Sequence, residues 1–119
     1  MKMEKGEIVL EKPAFGRGKD FIALVDRETK KRKIRWKANM FHRKVDKYVF
    51  IANFKKKGVN LKLQEELGYL SLSVYSPNDQ VETFNAITDP SLNSLFARVE
   101  YIYLRKMKKL ASKRKPAKV

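Results

Sequence analysis

The fold is decided by residues 48–63, which read Tyr48-Val49-Phe50-Ile51-Ala52-Asn53-Phe54-Lys55-Lys56-Lys57-Gly58-Val59-Asn60-Leu61-Lys62-Leu63. Two largely apolar runs flank a short polar segment, which is the pattern of two antiparallel strands joined by a turn. Gly58 suits that turn because glycine adopts positive φ at no steric cost. Residues 48–54 are apolar on both faces, so we expect a central strand covered on both sides, or a strand at a subunit interface.

Four further segments are predicted to be strands. Residues 21–25 and 32–37 are predicted to form a second hairpin through the polar residues 26–31, and residues 69–75 and 81–87 the last two strands. In residues 32–37 the side chains alternate, so that Ile34 and Trp36 point to one face, opposite Lys33, Arg35 and Lys37. One face of this strand is therefore predicted to be a row of cations.

The C-terminal segment predicts a long helix. Asp89 is a favourable N-cap, and Pro90 suits the first helical position because its missing N–H has no partner there. Apolar side chains then recur at helical spacing and form one stripe that we expect to be buried: Leu92, Leu95, Phe96, Val99, Ile102, Tyr103, Met107 and Leu110. The predicted fold is α+β, an antiparallel curved β-sheet of five or six strands with one long C-terminal α-helix packed on it.

The chain is predicted to be one domain, residues 1–111, followed by a disordered basic tail, residues 112–119. Its 119 residues are enough for a single core. The N-terminal residues 1–11 contain one brief apolar run, Ile8-Val9-Leu10. The absence of cysteine suits a reducing compartment, and no segment has the pattern of a signal peptide or membrane span. We therefore expect an intracellular, cytoplasmic protein, which could associate with the nucleoid.

Positive charge is segregated along the chain. The net charge of +15 consists of −1 in residues 1–11, +13 in 12–62, −5 in 63–97 and +8 in 98–119, and residues 63–97 contain no lysine or arginine. Lysines that served only solubility would be spread over every surface, whereas two basic blocks around an acidic one indicate a surface that meets a polyanion. Nucleic acid is the expected partner.

The candidate binding residues are cations with aromatic residues among them. Residues 30–37 contain six cations in eight positions, which could release counterions from phosphates without reading sequence. The predicted cationic residues are Arg17, Lys19, Lys31, Lys33, Arg35, Lys37, Arg43, Lys44, Lys55, Lys56, Lys57 and Lys62. Phe41 and Tyr48, which flank an irregular link over residues 39–44, are predicted to stack on bases, as is Phe15 in a glycine-rich loop.

Three classes of function compete. The first is a sequence-independent nucleic-acid-binding protein that favours single-stranded DNA or RNA, acting as a homodimer. The second is a ribosomal or ribonucleoprotein component. The third is a metal-dependent nuclease built on Glu28-Thr29-Lys30 with Asp20 or Asp26, a pattern that arises easily by chance in so lysine-rich a chain. His42 is the only histidine, so no histidine pair can bind zinc, and we predict no enzyme activity, no cofactor and no metal.

Overall fold

The computed structural model describes residues 18–114, with side chains up to Ala111. It contains two helices and five strands in the order α1 (Gly18–Lys30), β1 (Lys37–His42), β2 (Lys47–Phe54), β3 (Val59–Glu66), β4 (Tyr69–Tyr75), β5 (Val81–Asn85) and α2 (Leu92–Arg114). The predicted α+β class, the antiparallel sheet and the long C-terminal helix are confirmed. Neither helix in the described part of the chain is long and apolar enough to cross a membrane.

The sheet is an open antiparallel meander. Its strand order is β1-β2-β3-β4-β5, so each strand pairs with its neighbour in sequence. Turn geometry supports this arrangement, since Gly58 and Gly68 have φ of 67° and 86° between the paired strands. The register places the predicted apolar side chains of adjacent strands beside one another, as in the pairs Phe50 with Leu63 and Leu63 with Leu72.

One face of the sheet is covered by both helices, and we call it the covered face. Its strand residues are Phe50, Phe54, Val59, Leu61, Leu63, Leu70, Leu72, Val74 and Phe84, all of them buried. Phe21 of α1 and Phe96 of α2 pack on this face, with ring centroids 6.3 Å from Phe54 and 5.9 Å from Phe50, respectively. Burying one such side chain stabilises the fold by about 1.5–3 kcal/mol, so this layer supplies most of the driving force.

The opposite face, the open face, carries no helix in the described chain. Ile51, Tyr69 and Val81 lie on it with 39%, 52% and 56% of their surfaces exposed. Val49 is an exception, since only 5% of its surface is exposed. Cover on both faces within one chain, the first alternative for residues 48–54, therefore holds at Val49 and is wrong at Ile51. The second alternative, a strand at a subunit interface, stays a prediction.

The predicted strand at residues 21–25 is wrong, because these residues belong to α1. The buried residues of the helix are Phe21, Ile22, Val25, Glu28 and Thr29. They recur every three or four residues, which matches the period of a helix and not the two-residue period of a strand. Asp20 in the first turn and Lys30 in the last complement the helix dipole. Six charged residues in thirteen are consistent with a helix that has one buried side.

The predicted strand at residues 32–37 is also wrong, because α1 ends in a turn there. The Arg32 amide donates to Thr29 O and the Lys33 amide to Glu28 O, both at 2.9 Å, and Arg32 has φ of 64°. This is the Schellman arrangement, in which the residue after the helix takes the left-handed conformation. The first strand starts only at Lys37 and includes most of the link predicted over residues 39–44.

Helix α2 is buried in its first half and exposed in its second. Leu92, Leu95 and Val99 are at most 2% exposed, whereas Met107 and Leu110 are 40% and 39% exposed. The expectation that the whole apolar stripe is buried is therefore correct up to Val99, holds in part at Ile102 and Tyr103, and is wrong at Met107 and Leu110. Residues 89–91 form a turn that leads into the helix, with the Leu92 amide donating to Asp89 O at 3.0 Å. The backbone remains helical to Arg114, beyond the predicted boundary at residue 111.

Candidate nucleic-acid interface

The two ends of the sheet differ in charge. At one end lie the start of β1 and the turn between β2 and β3, which consists of Lys55, Lys56, Lys57 and Gly58. We call it the lysine end. At the other end the turns between β1 and β2 and between β3 and β4 meet, joined by the Leu67 amide donating to Asp46 O at 2.9 Å. Asp46, Glu65 and Glu66 lie at this second end, which we call the carboxylate end.

On the open face near the lysine end, three predicted cations surround a shallow depression of about 430 Å³. They are Arg35, just before β1, Lys37 at its start, and Lys62 on β3. Lys37 is paired in register with Ile51, and Ile51 with Lys62, so these three side chains form one row across adjacent strands. None of the three cations forms an ion pair or hydrogen bond with another described residue.

The next row of the open face supplies an aromatic ring and two amides. Asn53, Asn60 and Tyr75 are consecutive partners across β2, β3 and β4, and all three line the depression. The Asn53 Nδ2 donates to Asn60 Oδ1 at 2.8 Å, which fixes both amides in one orientation. Tyr75 is half-buried, so part of its ring remains accessible. The depression therefore combines cations that can bind phosphate with an apolar floor and a ring on which a base can stack.

A second depression, a groove of about 570 Å³, lies between α2 and residues 32–38. Its apolar lining consists of Ile34, Trp36, Ala38, Val99, Ile102, Tyr103, Met107 and Leu110. The cations around it are Arg32, Arg35, Lys37 and Lys106. Arg35 and Lys37 line both depressions, so the cationic surface is continuous from α2, past the start of β1, to the open face.

The remaining predicted cations are distributed over three places. Lys55, Lys56 and Lys57 are exposed in the turn at the lysine end, close to the first depression. Lys31 and Lys33 are exposed where α1 ends, and Lys19 is exposed at its start. Arg43 and Lys44 are exposed at the carboxylate end, away from both depressions. Arg17 and Phe15 lie outside the described residues.

Phe41 and Tyr48 lie on the covered side and pack within an aromatic cluster. The Phe41 ring centroid is 4.8 Å from Tyr48 and 4.8 Å from Tyr103, and Tyr48 is 6.2 Å from Phe96. The Arg43 guanidinium lies 5.3 Å from the Phe41 ring centroid. Because these rings pack between the sheet and α2, we leave both out of the proposed interface. Trp36 is half-buried, and its Nε1 donates to Thr29 Oγ1 at 2.9 Å.

At the carboxylate end Asp46, Glu65 and Glu66 offset the cations Arg43, Lys44 and Lys47, so this end is less favourable to a polyanion than the lysine end. Burial raises the pKa of the Glu65 carboxyl above its ordinary value, and the nearby Asp46 and Glu100 carboxylates raise it further. On the open face Lys47 contacts Glu66 at 3.9 Å. Phosphate would meet repulsion from this cluster, whereas no comparable group of carboxylates lines the depression at the lysine end.

Two of the residues suggested for a nuclease, Asp26 and Thr29, have structural partners, and Glu28 is buried. Asp26 accepts a 2.6 Å hydrogen bond from Arg98 Nε, which ties α1 to α2. Glu28 is only 5% exposed, and Thr29 accepts the Trp36 bond. Over residues 18–111 no group of three or more histidine or carboxylate side chains is placed to hold a metal ion. His42 is exposed at the end of β1.

Sequence reasoning missed Ile51, Asn53, Asn60 and Tyr75 as lining residues of the open face. The signal was present for Tyr75, which follows the buried Val74 in a strand whose side chains alternate between the two faces. Pairing Asn53 with Asn60 follows from a four-residue turn at residues 55–58, since such a turn sets the register of both strands. No protein family model, curated protein or solved structure matches this chain.

Proposed function

We propose that this protein binds single-stranded nucleic acid without sequence specificity, through the open face of its sheet at the lysine end. The observation that carries the proposal is the row of Lys37, Ile51 and Lys62, with Arg35 beside it and Tyr75 in the next row. Cations without partners among the described residues, an apolar floor and an accessible ring on one surface are what a phosphate backbone with unstacked bases requires.

A single strand fits this surface better than a duplex. The bases of a single strand can turn towards the sheet and stack on a ring, whereas those of a duplex are already stacked and paired. Reading a duplex commonly uses a helix inserted in the major groove. Helix α1 and the first half of α2 are committed to the covered face, as shown by the burial of Phe21, Val25, Leu95 and Val99.

Charge at the two ends of the sheet favours one placement of the strand. Lys55, Lys56 and Lys57 extend the cationic surface beyond the depression, and the continuous path through Arg35 and Lys37 extends it towards Lys106. The carboxylates at the opposite end repel phosphate. We infer that the strand lies along the lysine end rather than along the whole open face.

The test is fluorescence anisotropy with matched single-stranded DNA, single-stranded RNA and duplex DNA of one length, each at two salt concentrations. We expect the single strands to bind more tightly than the duplex, and every affinity to fall as salt rises because phosphate contacts release counterions. Affinity that does not change with salt, or binding confined to folded RNA as for a ribonucleoprotein component, would contradict the proposal.

Homodimerisation remains a prediction of the sequence. Val99, in the apolar stripe of α2, is 2% exposed within one copy of the chain. Its burial therefore requires no second copy. Light scattering on the protein used for the anisotropy measurements determines the number of copies in the binding species.

A further inference from the structure

The second half of α2 presents apolar side chains that the described residues cover only in part. The stripe continues beyond Val99 with Ile102, Tyr103, Met107 and Leu110, which form one wall of the 570 Å³ groove. Met107 and Leu110 expose 40% and 39% of their surfaces. Exposed aliphatic side chains at consecutive helical positions in a concave surface usually mark a site that another segment occupies.

The positive charge around the groove favours a segment that carries negative charge. Arg32, Arg35, Lys37 and Lys106 surround the apolar lining, and Arg105, Lys108 and Lys109 are exposed on the same half of α2. A second copy that paired through this half of the helix would bring two such cationic sets together, which is unfavourable. The occupant that matches the groove is a short apolar run with a carboxylate on each side.

This chain contains such a segment, Glu7-Ile8-Val9-Leu10-Glu11. Three consecutive aliphatic side chains lie between two carboxylates, in the part of the chain that has net charge −1. We propose that this segment binds in the groove of its own chain, with Ile8 and Leu10 against Met107 and Leu110 or their neighbours and the glutamates near the surrounding cations. The proposal does not depend on nucleic-acid binding.

The chain is long enough for this contact. Gly18 lies beside Asp89, since a Cβ built on Gly18 would be 2.7 Å from Asp89 Oδ2, so α1 begins next to the start of α2. From there Ile102 is about 20 Å along α2 at 1.5 Å per residue. The eight residues from Leu10 to Gly18 can span up to about 26 Å at 3.3 Å per residue. Leu10 can therefore reach the middle of the groove, and Ile8 can reach beyond it.

Trp36 reports directly on occupancy. It is the only tryptophan of the chain and lines the groove, while its Nε1 donates to Thr29. An aliphatic segment over the groove would shield the indole from water. We would record the emission maximum of the full chain and its quenching by acrylamide, which is neutral and not attracted by the surrounding cations.

The test compares Ile8→Asp/Leu10→Asp in the full chain with Met3→Asp, which adds one carboxylate outside the proposed segment. We expect the double variant to shift Trp36 emission to longer wavelength and to increase quenching, and the control to leave both unchanged. A synthetic peptide of residues 1–17 added to the double variant should reverse both effects. Glu7→Lys/Glu11→Lys should weaken the shielding, and high salt should weaken it in the native chain.

The groove side is tested by Met107→Asp, which alters a side chain already 40% exposed and so leaves the core intact. It should reproduce the spectral change of the double variant. Emission that is identical in the native chain and in all these variants would overturn the proposal. So would a change that appears only where light scattering shows a dimer converting to a monomer, since that would place the segment on a second copy.

Discussion

The two ends of the sheet contain similar cations in different surroundings. At the lysine end Arg35, Lys37 and Lys62 have no described partner and surround an apolar floor. At the carboxylate end Arg43 lies over the Phe41 ring and Lys47 contacts Glu66, beside a cluster that includes Glu65. The comparison teaches that a count of lysines does not locate a polyanion site, because the carboxylates and rings nearby decide which cations remain available.

The largest expected effect comes from removing the three cations of the depression. Arg35→Ala/Lys37→Ala/Lys62→Ala should reduce single-strand affinity about 100-fold at 0.1 M salt, because three phosphate contacts contribute a salt slope of roughly 2. The measurement is anisotropy over a salt series. The melting temperature should change little, since these side chains lie at the surface. A variant with the native slope would show that the strand binds elsewhere.

Each end of the open face has one tyrosine on β4, so the same substitution tests base stacking at both ends. Tyr75→Leu should reduce single-strand affinity about 10-fold, because stacking on an aromatic ring contributes about 1–3 kcal/mol per base. Tyr69→Leu is the matched control on the same strand and face, at the carboxylate end. We expect Tyr69→Leu to bind like the native chain in the same titration. Equal losses for the two variants would mean that the whole open face contacts the strand.

Removing cations at the carboxylate end should have a smaller effect on binding. Arg43→Ala/Lys44→Ala/Lys47→Ala removes the same charge as the first variant, yet it should reduce affinity only about 3-fold through the weaker long-range field. The two triple variants are titrated in parallel at identical salt. If their affinities were equal, net charge alone would govern binding, and the distinction between the ends would have no functional meaning.

The smallest expected effect concerns stability and pH. The pKa of Glu65 is raised in the folded protein. At pH values just above the ordinary carboxyl pKa, the folded state therefore binds more protons than the unfolded state. The contribution of Glu65 to stability is therefore most favourable at acidic pH and declines as pH rises through that range. Glu65→Gln should raise stability at pH 7 by roughly 0.5 kcal/mol, or about 2–4 °C in melting temperature.

Thermal melts of the native chain and Glu65→Gln at pH 4 and pH 7 measure this difference. The gain should be present at pH 7 and small at pH 4, where the native carboxyl is largely protonated. An equal gain at both pH values would point to packing of the amide rather than to charge.

Most of the sheet and the core could be predicted because each signal was local. The alternation of Leu70, Leu72 and Val74, and the turn at Gly58, determine strands and register without reference to the rest of the chain. Helix α1 could not be predicted from local signals alone. Its run Phe21-Ile22-Ala23-Leu24-Val25 suits either period, and the usual glycine at the helix end is replaced by Arg32, which adopts the left-handed conformation itself.

The candidate site was predicted only in part, because its charges are a local signal and its assembly is not. Charge alone identified Arg35, Lys37 and Lys62 as candidates. Their proximity depends on how β1 pairs with β2, and the sequence had placed Arg35 and Lys37 in a hairpin rather than at the start of β1. Phe41 and Tyr48 were assigned to solvent because the segment between them looked irregular. The bulge between Ala38 and Met40 hides the alternation of β1, and the rings are on the covered side.

The meander also has a kinetic consequence. Each strand closes on its neighbour through a turn of two to five residues, so the sheet can form at little entropic cost. By contrast, α1 joins the rest of the domain through contacts such as Asp26 with Arg98, 72 residues apart in sequence. We expect the sheet to form early and α1 to dock last, with amide exchange faster in α1 than in β3. Because Arg35 follows α1 while Lys62 lies within β3, the cationic depression is completed only in that final step of folding.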